Sequence, residues 1–442
     1  MKIIKDIEVA KATLLKRSPL EIKGVSPQLH ESIRKVFHEN LSPTQAVERI
    51  IDEVRVDGDR AIRKYGKQIE GVELSRLEVT KEEIDLAYHR VTPDLFSALS
   101  LAAERIRGFH KNSRRRSWIE FDEGGMGQLI QPLDCVGAYV PGGSASYPST
   151  ALMTVIPAKA AGVREVIITT PPSEDGNIPA STLVAADISG ADRIFKVGGA
   201  QAIAALALGT QSIPKVDKIC GPGNIFVQLA KKLLFGTVGI DGIYGPTETV
   251  VLADDTAYPA VCAADLLAQA EHDPLSAAIL ITPSAKLATN VSREVKRQLS
   301  ELERQHIASI SIQDNGGIVI TKDMEEAVQL VNYYAPEHLT LLVQDAWTCV
   351  GKIRNAGGIF VGEFSAESLG DYIAGPSHVM PTGGTARFSS PLSVDDFVKI
   401  VSIVALDKNA LMTLGAHANT IADVEGLTGH SKSVSMRLDQ TE

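Results

Sequence analysis

Between residues 134 and 361, short β-rich runs alternate with helical stretches. This alternation restricts the fold more than any other feature. "CVGAYV", "EVIITT", "RIFKV" and "VDKIC" are each followed by a helical run rich in small residues, such as "ALMTVIPAKAAG" or "GGAQAIAALALG". A second block repeats the scheme with "TVVLAD", "SAAILIT", "GGIVIT", "HLTLLV" and "GIFVG". Near-continuous apolar strands joined by helices imply parallel sheets covered on both faces. The chain has 442 residues, too many for one ordinary domain. The expected fold is therefore α/β, with two Rossmann-like lobes of mostly parallel sheets. The cleft between them is the expected ligand site.

The flanks differ. The first third is charged and helical in period. Ser42, Pro43 and Gln45 predict a capped helix start, Thr80 and Glu83 repeat the device, and "TPDLFSALSLAAERIRGFHK" predicts a third helix. After Phe364 a stretch rich in Gly, Pro and Ser shows no clear period. The end, from "DDFVKIVSIVAL" onward, reads as two or three helices. They are too few to bury a core alone, so they must pack on another lobe or another subunit. The predicted boundaries are a helical N-terminal segment at 1–25, a discontinuous α/β lobe of 26–133 and 248–390, a second α/β lobe at 134–247, and a helical C-terminal segment at 391–442.

Composition narrows the function classes. The hydrophobic fraction is 44% and the charged fraction 22%, ordinary values for a soluble globular protein. The net charge is −10 and the densest basic run is Arg114-Arg115-Arg116, which reads as a solvated turn. Nucleic acid and anionic membranes are therefore not expected partners. Cys135, Cys220, Cys262 and Cys349 lie far apart in apolar segments, as buried free thiols in a reducing cytoplasm do. The N-terminal stretch lacks the apolar core of a signal peptide, and no stretch is apolar for long enough to span a bilayer.

Six of the ten histidines lie after residue 270, and several stand near other candidate ligands. Gln269 and His272 are three apart at a helix end, hence on one face. Asp371 and His378 flank "DYIAGPSH", and Glu425 and His430 share "EGLTGH". Two imidazoles, a carboxylate and an amide oxygen suit zinc or another divalent metal, although no single spacing is diagnostic. Three glycine-rich turns, "PGGSAS", "VGGAQA" and "CGPGN", follow strands and would aim N–H groups at a phosphate. None is G-x-G-x-x-G, and tight turns in a parallel sheet account for them equally well. Glu337 and His338 stand side by side before an apolar strand. Neighbours in a regular strand point to opposite faces, so the pair shares one pocket only if Pro336 breaks the geometry.

Taken together, "YVPGGSASYPSTALMTVIPAKAAGV", "VGGAQAIAALALGT", "KICGPGN", "LLAQAEHDP", "YAPEHL", "GPSHVMPTGGTARFSSPLSV" and "EGLTGHSKSVSMRL" closely resemble histidinol dehydrogenase, in family order from Tyr139 to Leu438. The resemblance implies a zinc enzyme that oxidises L-histidinol twice with NAD, through the aldehyde, to L-histidine. It also implies a homodimer whose C-terminal segment enters the partner's active site. One Zn2+ per subunit would be held by Gln269, His272, Asp371 and His430. Tyr139, Gln201 and Asn224 match the family's NAD contacts, which makes 134–247 the cofactor lobe. Glu337 and His338 match the acid–base pair, Glu425 a substrate-binding glutamate, and His378 the substrate loop. Thr247 stands in "YGPTET" where the family usually has Ser, and its extra methyl crowds the pocket. Related dehydrogenases of other polar alcohols, such as sulfopropanediol, share this scaffold. From another class, a zinc hydrolase would use a metal and a glutamate base but would ignore NAD. A non-catalytic scaffold would need none of these residues.

Overall fold

In the computed structural model the alternation becomes two parallel sheets, with a small antiparallel sheet besides. The structure describes residues 1–17, 27–122, 124–142 and 146–440. The strands in chain order are β1 Lys2–Ile4, β2 Trp118–Glu120, β3 Gly124–Pro132, β4 Cys135–Tyr139, β5 Glu165–Thr170, β6 Arg193–Lys196 and β7 Lys218–Cys220. They continue with β8 Gly239–Ile240, β9 Glu248–Ala253, β10 Ala277–Thr282, β11 Gly317–Ile320, β12 His338–Leu342, β13 Gly358–Val361 and β14 Val398–Leu406. The first parallel sheet runs β6-β5-β4-β7-β8 and the second β1-β11-β10-β9-β12-β13. Apart from β1 the two have the same winding: the first strand of each block is central, the next two lie to one side and the last two to the other. Each sheet therefore has a switch point, between β4 and β7 in one and between β9 and β12 in the other.

Burial explains the apolar runs. Every residue of β9 is buried. Val250 and Leu252 join one core cluster, while Val251 and Ala253 join another. Alternate side chains thus feed cores on opposite faces, as a sheet covered on both sides requires. The helix Pro148–Ala161 is buried along most of its length, which explains its small residues and weak periodicity.

Both capping boxes form: Ser42 with Gln45 starts the helix Pro43–Asp57, and Thr80 with Glu83 starts Lys81–Tyr88. These helices, together with Pro93–Asn112, pack on helices of the five-stranded sheet. Those contacts tie 27–112 to that sheet, whereas the sequence groups 26–133 with 248–390. Two further differences concern the ends. The N-terminal segment is not wholly helical, because β1 pairs in parallel with β11 before the helix Ile7–Ala12; residues 18–26 lie outside the described residues. At the other end "VKIVSIVAL" is a strand, not a helix. Short apolar runs are ambiguous by period alone, and here Val and Ile dominate a stretch that finds a partner strand.

The chain divides into two units, Met1–Ser113 with Asp134–Phe397, and Arg114–Leu133 with Val398–Glu442. The second contains the antiparallel sheet β14-β3-β2 and the helices Lys408–Val424 and Thr428–Asp439. The four cysteines are unpaired, and three of them are buried. Among the described residues, no helix is long and apolar enough to cross a membrane.

Candidate active site

The helix Met324–Tyr334 ends at Ala335, whose φ of 53° is left-handed. Among the described residues only His38 shares a positive φ without being glycine. A non-glycine residue there costs on the order of 1 kcal/mol or more, so its surroundings must impose the conformation. Pro336 follows, and β12 begins only at His338. This irregular entry turns two sequence neighbours into one pocket. His338 Nδ1 lies 3.6 Å from Glu337 Oε2, and both residues are buried. Glu337 Oε2 accepts hydrogen bonds from Thr247 Oγ1 at 2.6 Å and from the Glu248 N–H at 3.0 Å. The His338 ring stacks on Phe360, 5.8 Å between centroids.

The segment after Phe364, aperiodic in sequence, contains the short helix Glu367–Tyr372. Its spacing places Glu367 and Asp371 on one face. Glu367 Oε1 is 3.6 Å from His338 Nδ1, and Asp371 Oδ1 is 3.5 Å from His338 Nε2. Glu367 is buried and accepts from Thr249 Oγ1 at 2.7 Å. Nothing in the motif reading singled it out; the i, i+4 carboxylates of "ESLGDY" were the available signal. Gln269 is buried at the end of the helix Pro259–Ala270. Its amide is satisfied with the nitrogen donating to Glu367 Oε1 at 2.9 Å and the oxygen sharing the Glu248 N–H, accepted at 2.9 Å. His272 is reached by solvent, yet desolvation on its packed side lowers its pKa against the pull of Asp371. His378 Nδ1 lies 2.8 Å from the Asp371 carbonyl. A carbonyl only accepts, so Nδ1 carries the proton and Nε2 is left to accept from Thr150 Oγ1 at 3.3 Å. Glu425 and His430 belong to the second unit, where both are exposed.

Thr247, Gln269, His272, Glu337, His338, Asp371 and His378 therefore gather in the first unit, around the amino ends of β9 and β12. Tyr139, Gln201 and Asn224 instead occupy the carboxyl edge of the five-stranded sheet, where α/β folds place nucleotides. Tyr139 Oη accepts from the Gly199 N–H at 3.2 Å. Gln201 is fully buried, and its Oε1 has no partner among the described residues. Asn224 caps the helix Ile225–Leu234. In "CGPGN", Gly221 has a φ of 110°, and a Cβ there would collide with the Tyr139 carbonyl. A buried Lys231–Asp241 pair braces this turn: Lys231 Nζ donates to the Gly221 carbonyl at 3.1 Å and Asp241 Oδ2 accepts the Gly221 N–H at 2.7 Å. Of "PGGSAS", residues 143–145 lie outside the described residues.

Three carboxylates crowd one imidazole. Burial works against charge on His338, yet Glu367, Glu337 and Asp371 outweigh it and lift its pKa to about 10. Burial pushes Glu337 and Glu367 up to about 7 each, against the pull of that imidazolium. Burial works to raise Asp371, but the neighbouring His338 charge overcomes it and holds the carboxyl below its ordinary value. Ligand atoms of His338, Glu367 and Asp371 all lie within 4.8 Å of one another, and buried His338 Nε2 has no hydrogen-bond partner among the described residues. This excess of acceptors fits a divalent cation. Such an ion, drawn to the carboxylates, would also free His338 of its proton.

The histidinol dehydrogenase family model matches residues 34–438. The chain belongs to the histidinol dehydrogenase family. It is 52% identical over 396 residues to histidinol dehydrogenase of Halalkalibacterium halodurans, covering 89% of this chain and 93% of that one. It is 49% identical to histidinol dehydrogenase of Dehalococcoides mccartyi, covering 99% of this chain and all of the other. Its structure superposes on the crystal structure of histidinol dehydrogenase from Elizabethkingia anophelis with a TM-score of 0.91, at 35% identity, covering 100% of this chain and 98% of that one. The likeness to histidinol dehydrogenase thus begins well before Tyr139, in the helical first third where no motif was distinctive.

Proposed function

We propose that the chain oxidises L-histidinol to L-histidine with NAD, through L-histidinaldehyde, at a zinc-dependent site. The observation that carries this reading is the meeting of Glu337 and His338 with Gln269, His272 and Asp371 in one pocket. Gln269, His272 and Asp371, with His430 supplied by a second copy of the chain, would hold the ion. A bound divalent ion would orient the substrate's donors and polarise its oxygen, and NAD would take up the hydrides.

His338 accepts the alcohol proton in the first oxidation. Glu337, anchored by Thr247 and the Glu248 N–H, activates the water that adds to the aldehyde before the second. Tyr139, Gln201 and Asn224 contact the dinucleotide. His378 and Glu425 bind the substrate, Glu425 meeting its ammonium group. Thr247 keeps the hydroxyl that Glu337 uses, so a methyl in place of the Ser hydrogen leaves this contact in place. Free thiols suit a cytoplasmic setting.

The deciding assay counts NADH formed per L-histidinol consumed, with and without added zinc. Two NADH per alcohol are expected. One per alcohol, or turnover only of another alcohol such as sulfopropanediol, would favour the related dehydrogenases. Activity and zinc content untouched by chelation would remove the ligand set.

The homodimer follows from the same reading. The second unit leaves Ile400, Val401 and Val404 of β14 and Ile421 and Val424 of its long helix exposed, as an interface between copies would. If His430 enters the partner's site, two inactive variants should complement each other. Co-expressed His338→Asn and His430→Ala chains should regain about a quarter of parental activity, because half of the dimers then hold one complete site. Homodimers of either variant should stay inactive, and a mixture without recovery would show that each chain uses its own His430.

A further inference from the structure

We infer that Arg17 is a positioning residue for the Glu337–His338 pair, an inference that rests on the function just proposed. The N-terminal strand and helix deliver Arg17 to the amino edge of the six-stranded sheet, where its guanidinium does three things at once. Arg17 Nη2 pairs with Glu248 Oε1 at 2.8 Å, and Nη1 contacts the other carboxylate oxygen. Its Nε donates to the Tyr334 carbonyl at 2.9 Å and Nη2 to the Ala335 carbonyl at 3.1 Å. Its plane lies over the Tyr334 ring, 3.5 Å from the centroid. Tyr334 Oη donates in turn to Glu248 Oε2 at 3.3 Å.

These contacts grip both routes to Glu337. Carbonyls at the C-terminus of a helix lack intrahelical partners. Arg17 supplies partners to those of Tyr334 and of Ala335, the left-handed residue that begins the irregular entry. The other route runs through Glu248, whose N–H holds Glu337 Oε2. A planar fork serves a carboxylate and two carbonyls together, and a lysine ammonium offers no such fork. Arg17 touches neither Glu337 nor His338 in any of these contacts, so its effect on them is one of placement.

The test measures Arg17→Lys and Arg17→Ala in the full-length, metal-loaded protein, per folded molecule by thermal unfolding. Arg17→Lys should lower kcat for aldehyde oxidation by ~10- to 100-fold, the scale of an ångström-sized misplacement. KM for L-histidinol and the reverse reduction of aldehyde should change far less. In a Glu337→Gln background the same substitution should add little, because the two act through one group. Guanidinium ion at millimolar concentration should restore part of the activity of Arg17→Ala. Equal loss in both directions, full additivity with Glu337→Gln, or parental kcat in Arg17→Lys would each overturn the inference. If the unmutated protein itself releases no NADH from L-histidinol, the functional reading falls and this one with it; an active parent with an indifferent Arg17 removes this one alone.

Discussion

His338→Asn will abolish most oxidation of L-histidinol, by about 10²- to 10⁴-fold in kcat, the range expected for loss of a general base. Asparagine is polar and smaller, so the pocket need not collapse, but its amide cannot accept a proton near neutral pH. His338 stands within 3.6 Å of three different carboxylates, and removing it takes away the one basic ring they share. Initial-rate measurements with L-histidinol, alongside NAD binding by fluorescence, separate the cases. Dinucleotide affinity should hold while turnover falls. A decrease of less than about tenfold would mean that another group, or solvent, takes the alcohol proton.

Glu337→Gln should divide the two oxidations. Glutamine is nearly isosteric, and its amide oxygen can still accept from Thr247 Oγ1 and the Glu248 N–H. What it loses is the capacity to take a proton from water. Oxidation of L-histidinaldehyde should therefore fall by roughly 10²-fold or more, while reduction of the same aldehyde with NADH, which adds no water, should stay within a few-fold of parental. Following the aldehyde in both directions, from the same preparation, is the measurement. Equal losses would place Glu337 in a shared role, such as orienting His338, and end the division of labour.

Much of the scaffold was legible because its signals are local. Capping boxes at Ser42 and Thr80 need only four consecutive residues, and the β9 run, buried on both faces, shows its class in a single stretch. The adjacency of Glu337 and His338 was legible too, with Pro336 marking the break. Signals that depend on distant chain were not. Glu367 sits in a six-residue helix among glycines and prolines, and its meaning appears only when that helix lies beside β12. Arg17 is separated from Tyr334 by most of the chain. The strand β14 looked helical because its ladder partner lies far upstream. The opposed placement of the two residue sets, at the carboxyl edge of one sheet and the amino edge of the other, depends on topology that no motif encodes.

That far upstream partner sets an order on assembly. Pro132 pairs with Val398 and Gly124 with Leu406, so roughly 270 residues leave the ribosome between the two halves of this ladder, a closure that carries a large sequence separation. During that interval the edge of β3 that β14 will cover stays open, a template for pairing with the wrong chain. The sheet Cys135–Ile240 and most of its neighbour can already be complete when the hairpin still lacks its third strand. The strand that covers the free edge of β3 is thus made only after both parallel sheets, and yield in expression should be more sensitive to damage at β14 than its modest share of the core would indicate.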